Sequence, residues 1–350
     1  MPAPLYLGAK ESFRPPLADN LFDRRPHFDE EMSKFEHVRK IASLLQHRQE
    51  NKGVEDVLDE LAAEPVAARP VQLASVSLYL QSLLWRCQND WKEVTGERTN
   101  YKTLVDRIER WRAVYDLACF VTFNYDTMLE EAFSGQIARF DDYVNGPLGP
   151  IVKLHGSVNW ARCIYDVADE RGNDEEHARR FLLANFAHAR ISDEFVLLNK
   201  PTVIDKLSPP SVKPTVLTEW EVGSPRTPAP RGKVPVRPQP LLFPAIAVPM
   251  KEKARFECPP AHLEKLKAVL PRVDRILVIG WRAQERHFLD MLRESLTGRV
   301  RGMIVSGRRR SDAEEVSDRL SECAPGDYAI SKGGFSDFVT TDEADSFLRA

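Results

Sequence analysis

Two polar residues follow apolar segments of the chain at positions where their side chains could do chemistry. Asn124 comes after the apolar run at 117–121, and His155 comes after a second strand-like run later in the chain. An imidazole can take up a proton near neutral pH, and an amide both donates and accepts hydrogen bonds. Together they could hold a hydroxyl or a water molecule and remove its proton.

The elements that would position these side chains are strands that alternate with helices. Apolar runs at 275–280 and 300–306 predict two further strands, and helical patterns occur at 260–270 and 286–296. This alternation predicts an α/β fold with a doubly wound, mostly parallel, Rossmann-like sheet. Open sheets of this kind bind ligands at the carboxyl ends of their strands.

Small or polar residues follow the predicted strands. Together these residues predict an edge of the sheet that could bind a dinucleotide. Glycine permits close approach of the backbone to a ligand, and helix N termini favour phosphate. The residues at these ends are Gly8, Ala9, Asn124, Asp126, His155, Gly280, Trp281 and Ser306. Taken singly, the glycines could simply make turns, and Asp126 could simply cap the helix predicted at 127–133.

We predict a single domain over residues 1–350 that contains two additional parts. Apolar residues recur at helical spacing between 54 and 84, which predicts an inserted helical module at 28–115. Eleven of the 25 prolines lie between 201 and 244. Because proline interrupts helices and central strands, we predict a proline-rich surface insertion at 166–247.

The composition argues against several classes of protein. A formal net charge of -3 gives no general electrostatic reason to expect nucleic acid as a partner. The five cysteines are odd in number and never form a Cys-x-x-Cys pair, which favours reduced thiols and gives no zinc-ligand spacing. No apolar run approaches the roughly 20 residues of a membrane helix. We therefore expect a cytoplasmic protein that binds neither a metal nor a membrane.

Several motifs resemble the sirtuin-like domains of bacterial antiphage NAD hydrolases. They are Asn-Tyr-Asp at 124–126, Lys-Leu-His-Gly-Ser-Val-Asn-Trp at 153–160, Ile-Gly-Trp at 279–281, Leu-Gly-Ala at 7–9 followed by Ser12, and Gly-Gly-Phe-Ser-Asp-Phe at 333–338. The resemblance covers nearly the whole chain and is weakest through the insertion at 166–247. It implies a sirtuin-like fold.

The resemblance also implies an activity and a set of site residues. The chain would cleave the nicotinamide–ribose bond of NAD, its substrate, and so deplete NAD in antiphage defence. Asn124 would position water or a ribose hydroxyl, and His155 would act as the general base. The residues bordering NAD would be Gly8, Ala9, Ser12, Asp126, Gly280, Trp281 and Ser306. The family's regulation implies a homo-oligomer or a separate sensor protein as partner.

Two differences from the family pattern keep other functions open. Lys10 stands where the family usually has a third small residue, and Arg282 stands where it commonly has a serine. They favour a second hypothesis, in which the chain is a catalytically weakened sirtuin-like subunit that binds NAD or serves as a scaffold in a defence complex. A third hypothesis is an NAD-dependent protein deacylase. The sequence lacks the four-cysteine zinc module of such enzymes, which argues against it.

Overall fold

The computed structural model describes most of the chain outside the N terminus and the proline-rich region. The described residues are 15–49, 52–111, 118–133, 137–147, 149–164, 191–198, 241–250, 256–306 and 309–349. They form a mixed α/β structure with parallel sheets, so the predicted α/β class is confirmed at that level. The chain divides into two compact units, which are described separately below.

The first unit comprises Met1–Gly96, Phe123–Thr127 and Lys153–Pro259. After a short 3-10 helix at Ala18–Asn20, its helices are α1 (Pro26–Ser33), α2 (Glu36–Gln46), α3 (Val54–Ala63) and α4 (Arg69–Thr95). Pro26 opens α1, where its fixed φ suits the first helical position. Gly96, with a φ of 59°, ends α4 in the left-handed conformation that favours glycine. The helical periodicity in this part of the sequence is therefore confirmed.

The core of the first unit is built around α4. Buried side chains from all four helices meet there, together with Val158 and Ile246 from two strands. Tyr79 is fully buried in α4, and its hydroxyl donates to the backbone carbonyl of Leu21 at 2.8 Å. Gln81 donates from α4 to the carbonyl of Trp160 at 3.1 Å. These bonds join the long helix to both the N-terminal loop and the sheet.

The sheet of the first unit is antiparallel, whereas the sequence predicts a mostly parallel sheet. Its strands are β3 (Gly156–Ile164), β4 (Ile191–Leu197) and β5 (Leu241–Ile246), in the order β4-β3-β5. Both outer strands belong to the range predicted as an insertion, 166–247, most of which lies outside the described residues. Pro244 is tolerated because β5 is an edge strand of the described sheet, where a missing N–H need not break a ladder.

The second unit comprises Glu97–Thr122, Met128–Val152 and Pro260–Ala350. Its first elements are α5 (Asn100–Trp111), β1 (Phe120–Thr122), α6 (Met128–Ala132) and α7 (Phe140–Asn145). Strand β1 pairs with β2 (Ile151–Lys153), the strand at which the chain returns to the first unit. The boundary after Gly96 lies inside the helical module predicted at 28–115, and α5 belongs to the second unit.

A three-stranded parallel sheet forms the rest of the second unit. Its elements are α8 (Pro260–Val269), β6 (Arg275–Ile279), α9 (Arg286–Ser295), β7 (Val300–Val305), α10 (Arg310–Cys323), β8 (Gly326–Ile330), α11 (Phe335–Thr340) and α12 (Glu343–Arg349). The strand order is β6-β7-β8. The strands predicted at 275–280 and 300–306 are confirmed within one residue, as are the helices at 260–270 and 286–296. Of the helices in the described ranges, none combines the length and hydropathy needed to span a bilayer.

Candidate functional site

His155 lies in the tight turn that joins β2 to β3. The turn needs glycine at the next position, because Gly156 has a φ of +80° and an added Cβ would lie 1.9 Å from the carbonyl oxygen of Ala245. On the other side, the backbone N–H of Ala247 donates to the His155 carbonyl at 2.9 Å. The imidazole is buried, with 6% of the residue exposed. The backbone therefore gives His155 a fixed position.

Asn124 lies two residues after the end of β1, in a segment that contacts the His155 turn. The ring of Phe123 meets the His155 ring edge-on at a centroid distance of 5.0 Å. The ring of Tyr125 lies 6.1 Å from the same imidazole. Asn124 itself is exposed. Both neighbours of Asn124 thus pack against His155, and the three residues belong to the first unit.

Tyr125 attaches this segment to the antiparallel sheet. Its hydroxyl donates to the carbonyl of Ala247 at 2.9 Å. Its own carbonyl accepts hydrogen bonds from the N–H of Val158 at 2.9 Å and from the hydroxyl of Ser157 at 3.2 Å. Both donors, Ser157 and Val158, lie at the start of β3. These hydrogen bonds therefore hold the Asn124 segment next to the strand that begins at the His155 turn.

Two further side chains hold the residues that follow Asn124. Lys153 is fully buried, and its ammonium group donates to the backbone carbonyl of Asp126. Gln88, also fully buried, accepts from the N–H of Thr127 at 2.9 Å and donates to its hydroxyl at 3.0 Å. Lys153 therefore holds Asp126 through the backbone of Asp126. The Lys153 side chain thus supports the turn that follows Asn124.

The arrangement combines an exposed amide with a buried base. Asn124 can offer its donor and acceptor groups to a ligand that arrives from solvent. His155 packs against the rings of Phe123 and Tyr125, and these contacts limit the orientations of the imidazole. A fixed imidazole near a hydrogen-bonding amide can position a hydroxyl and accept its proton.

The other predicted site residues fall into two groups. Gly8, Ala9 and Ser12 lie outside the described residues, as does Lys10. Gly280, Trp281 and Ser306 lie in the second unit, directly after the adjacent parallel strands β6 and β7. The N–H of Gly280 donates to the carbonyl of Val305 at 3.0 Å, so these two strand ends share one edge of the sheet.

The loop after β6 has an unusual backbone. Gly280 has a φ of 64° and Ala283 a φ of 52°, so two residues of the loop have a left-handed backbone conformation. The indole of Trp281 donates to the carboxylate of Glu285, and the carbonyl of Arg282 accepts from Arg319 at 2.7 Å. Arg282, which differs from the family pattern, and Glu285 thus take part in contacts that shape this loop.

Sequence reasoning missed the residues that position the Asn124 segment. A lysine inside the apolar run at 151–154 is a signal that could have identified Lys153, because a buried lysine needs a partner. Nothing in the sequence marks Gln88, which is one polar residue among many in α4. Its importance follows from its contact with Thr127, 39 positions along the chain.

The described cysteines do not offer an activated nucleophile. Cys87, Cys119, Cys258 and Cys323 are free thiols. Burial raises the pKa of Cys87 and of Cys119 to about 12, which keeps both thiols protonated near neutral pH. Within the described residues, no group of three or more histidine, cysteine, aspartate or glutamate side chains could hold a metal ion. That the chemistry needs no metal stays a prediction.

Comparison with known proteins identifies no relative of this chain. No protein-family model, no curated protein and no solved structure matches it. What can be said of function therefore comes from the residues and from the site that they form.

Proposed function

We propose that the chain is an NAD hydrolase with a sirtuin-like, doubly wound Rossmann-like architecture. In this proposal it cleaves the bond between nicotinamide and ribose and depletes NAD in antiphage defence. The observation that carries the proposal is the contact of the Asn124 segment with the His155 turn, through rings at 5.0 and 6.1 Å from the imidazole. This contact supports a catalytic pair made by Asn124 and His155.

In the proposed reaction, the electrons of the glycosidic bond leave with nicotinamide, and the ribose passes through an oxocarbenium-like state. Asn124 holds the attacking water or a ribose hydroxyl. As the water oxygen bonds to the ribose carbon, His155 accepts the proton that water loses. The products are nicotinamide, ADP-ribose and one proton. The protein contributes mainly by positioning the reactants and stabilising the charge that develops.

The hydrogen bonds around the pair support this mechanism. Catalytic groups act best when their positions are set before the substrate arrives. Lys153 and Gln88 hold the backbone after Asn124, and Tyr125 joins the segment to the sheet. The left-handed Gly156 sets the direction of the His155 turn. All of these residues belong to the first unit.

A second function is favoured by the exposure of Asn124. Catalysis at a sugar centre benefits from a site that excludes bulk water, and the Asn124 side chain is open to solvent. A sirtuin-like subunit that binds NAD without turnover, or serves as a scaffold in a defence complex, would need no such enclosure. Lys10 and Arg282 point to the same alternative.

The test is incubation of the purified protein with NAD and measurement of nicotinamide and ADP-ribose by chromatography. The proposal predicts both products in equal amounts without any acylated peptide. Binding of NAD without turnover would instead support the scaffold function. Strict dependence on an acylated peptide would identify a deacylase.

The catalytic residues are tested by replacing them one at a time. Asn124→Ala and His155→Ala should each lower kcat by about 100- to 10,000-fold, which is the usual contribution of a positioned acid–base group. Asn145→Ala and His287→Ala are matched controls, since both residues are exposed and lie in the second unit. Because His155 is buried, His155→Gln should be measured beside it, with circular dichroism as the folding check. Wild-type rates in folded Asn124→Ala or His155→Gln protein would refute the assignment.

A further inference from the structure

A separate cavity of about 290 Å³ lies in the first unit, where the loop before α1 meets the end of α2. Its lining residues come from two short stretches of sequence. They are Phe22, Asp23, Arg24, Arg25, Gln46, His47 and Arg48. None of them belongs to the proposed catalytic pair or to the residues that hold it.

The lining of this cavity is strongly cationic. Three arginines and one aspartate line the cavity, which gives the lining a formal net charge of +2 with histidine counted as uncharged. The carboxylate of Asp23 already accepts hydrogen bonds from Arg25 at 3.1 Å and from Asn20 at 3.0 Å. The positive charge of Arg24 and Arg48 is therefore not balanced by Asp23. Clefts lined by one sign of charge attract ligands of the opposite sign.

Two of the arginines are held in place before any ligand arrives. Arg48 donates to the carbonyl of Asp19 at 2.6 Å and to that of Leu45 at 3.0 Å. The guanidinium of Arg25 lies 4.9 Å from the centre of the Phe28 ring and bonds to Asp23. Holding these side chains in place reduces the entropy that binding would otherwise cost.

The third arginine is the more adaptable one. Arg24 is exposed, and one of its terminal nitrogens lies 3.2 Å from Nε2 of His47. A guanidinium only donates hydrogen bonds, so His47 is the acceptor in this pair. The remaining N–H groups of Arg24 can donate to an anion with several oxygens, and guanidinium groups match phosphate in geometry as well as in charge.

We propose that this cavity binds the phosphate groups of a small phosphorylated ligand, with Arg24 as the principal contact and Arg25 and Arg48 as fixed supporting charges. The volume lies near the lower end of the range for small-molecule sites, about 300–1,000 Å³. It suits a phosphate, a pyrophosphate or a mononucleotide. The lining of the cavity shares no residue with the proposed NAD site, and the proposal does not depend on NAD hydrolysis.

The test is calorimetric titration of the full-length protein with sodium pyrophosphate at low ionic strength, since screening weakens such contacts. Arg24→Ala should raise Kd about tenfold, the effect of losing one charge-assisted contact. Arg39→Ala removes the same charge from an exposed position on α2 outside the cavity, and its Kd should stay within about twofold of wild type. Arg24→Lys should give an intermediate value.

Hydrogen exchange locates the bound anion. Pyrophosphate should protect peptides that cover 22–25 and 46–48, and Arg24→Ala should remove this protection while Arg39→Ala leaves it intact. Tighter binding of AMP than of inorganic phosphate would identify a nucleotide as the ligand, and equal binding would identify the phosphate group itself. Equal affinities in Arg24→Ala and Arg39→Ala, or protection confined to other peptides, would overturn the proposal.

Discussion

At position 156 the backbone has a conformation that residues other than glycine rarely adopt. Gly156 has a φ of +80°, and a Cβ there would press against the backbone of Ala245. This residue sets the direction of the His155 turn. Its requirement is steric, so it would hold whatever reaction the site performs.

Replacement of this glycine tests how far the turn depends on it. Gly156→Ala should lower the free energy of unfolding by about 2–4 kcal/mol, since left-handed strain and a backbone clash add together. Gly96→Ala is the matched control. Gly96 also has a positive φ, but nothing lies within 4 Å of the Cβ that alanine would add, so it should cost only about 1–2 kcal/mol. Urea unfolding measures both, and equal losses would contradict the role given to the Ala245 contact.

Lys153 places a charged group in the interior of the first unit, where it forms a hydrogen bond. Its side chain is fully buried and donates to the carbonyl of Asp126. A buried ammonium group costs free energy unless it is hydrogen-bonded. This hydrogen bond fixes the backbone that follows Asn124.

At the scale of elements, the antiparallel sheet is joined by a buried arginine. Arg162 in β3 is 4% exposed. It bonds to Glu257 at 3.0 Å, to Asp193 at 2.9 Å and to the carbonyl of Ser192 at 2.7 Å. One side chain therefore links the central strand to β4 and to the segment before α8.

The two carboxylates that contact Arg162 should differ in how much they contribute to the stability of the protein. Glu257 is 17% exposed at its side chain and Asp193 is 76% exposed. Glu257→Ala should therefore destabilise the protein by about 2–4 kcal/mol, because it leaves a buried guanidinium with less compensation. Asp193→Ala should cost less than about 1 kcal/mol, as for other surface ion pairs. Chemical unfolding of both variants measures the difference, and a larger loss for Asp193→Ala would contradict this account.

The secondary structure illustrates which elements local patterns can predict. Strands β6 and β7 were predicted within one residue, because an apolar run that ends at a small or polar residue is visible in the sequence. Strands β4 and β5 were missed. They lie at 191–197 and 241–246, on both sides of the proline-rich stretch, and their pairing with β3 joins residues far apart in the chain.

At the scale of the whole molecule, one buried histidine makes stability depend on pH. His262 in the second unit is 1% exposed and packs against Tyr143 and Phe140, with ring centres 5.4 and 5.9 Å away. Burial lowers the pKa of His262 from 6.5 to about 4, although the backbone of Phe140 acts in the opposite direction. The folded protein therefore holds this imidazole neutral.

Acid should destabilise the protein through this residue. Between pH 6.5 and 4 the unfolded chain binds the proton and the folded chain does not, so the contribution of His262 is complete above pH 6.5 and lost towards pH 4. The full loss would be on the order of 3 kcal/mol. His262→Phe keeps an aromatic ring but cannot titrate, so its stability should fall less over this range. Urea unfolding at a series of pH values measures both proteins, and parallel curves would contradict the prediction.

Local sequence patterns predicted the α/β class, most of the helices and strands β6 and β7. They also identified Asn124 and His155 as candidate site residues. These features depend on residues that are close together in sequence, so periodicity and strand ends can be recognised there. The proposed hydrolase activity came from a resemblance of motifs and stays a proposal.

Folding in three dimensions decided the rest. The division after Gly96, the antiparallel sheet, the support of Thr127 by Gln88 and the cationic cavity around Arg24 all bring together residues that are distant in the chain. Such contacts depend on how helices and strands pack, and no short stretch of sequence encodes that packing. The physical reason is that the hydrophobic effect is non-directional and favours any arrangement that removes apolar surface from water. Which residues pack against each other therefore depends on the whole sequence.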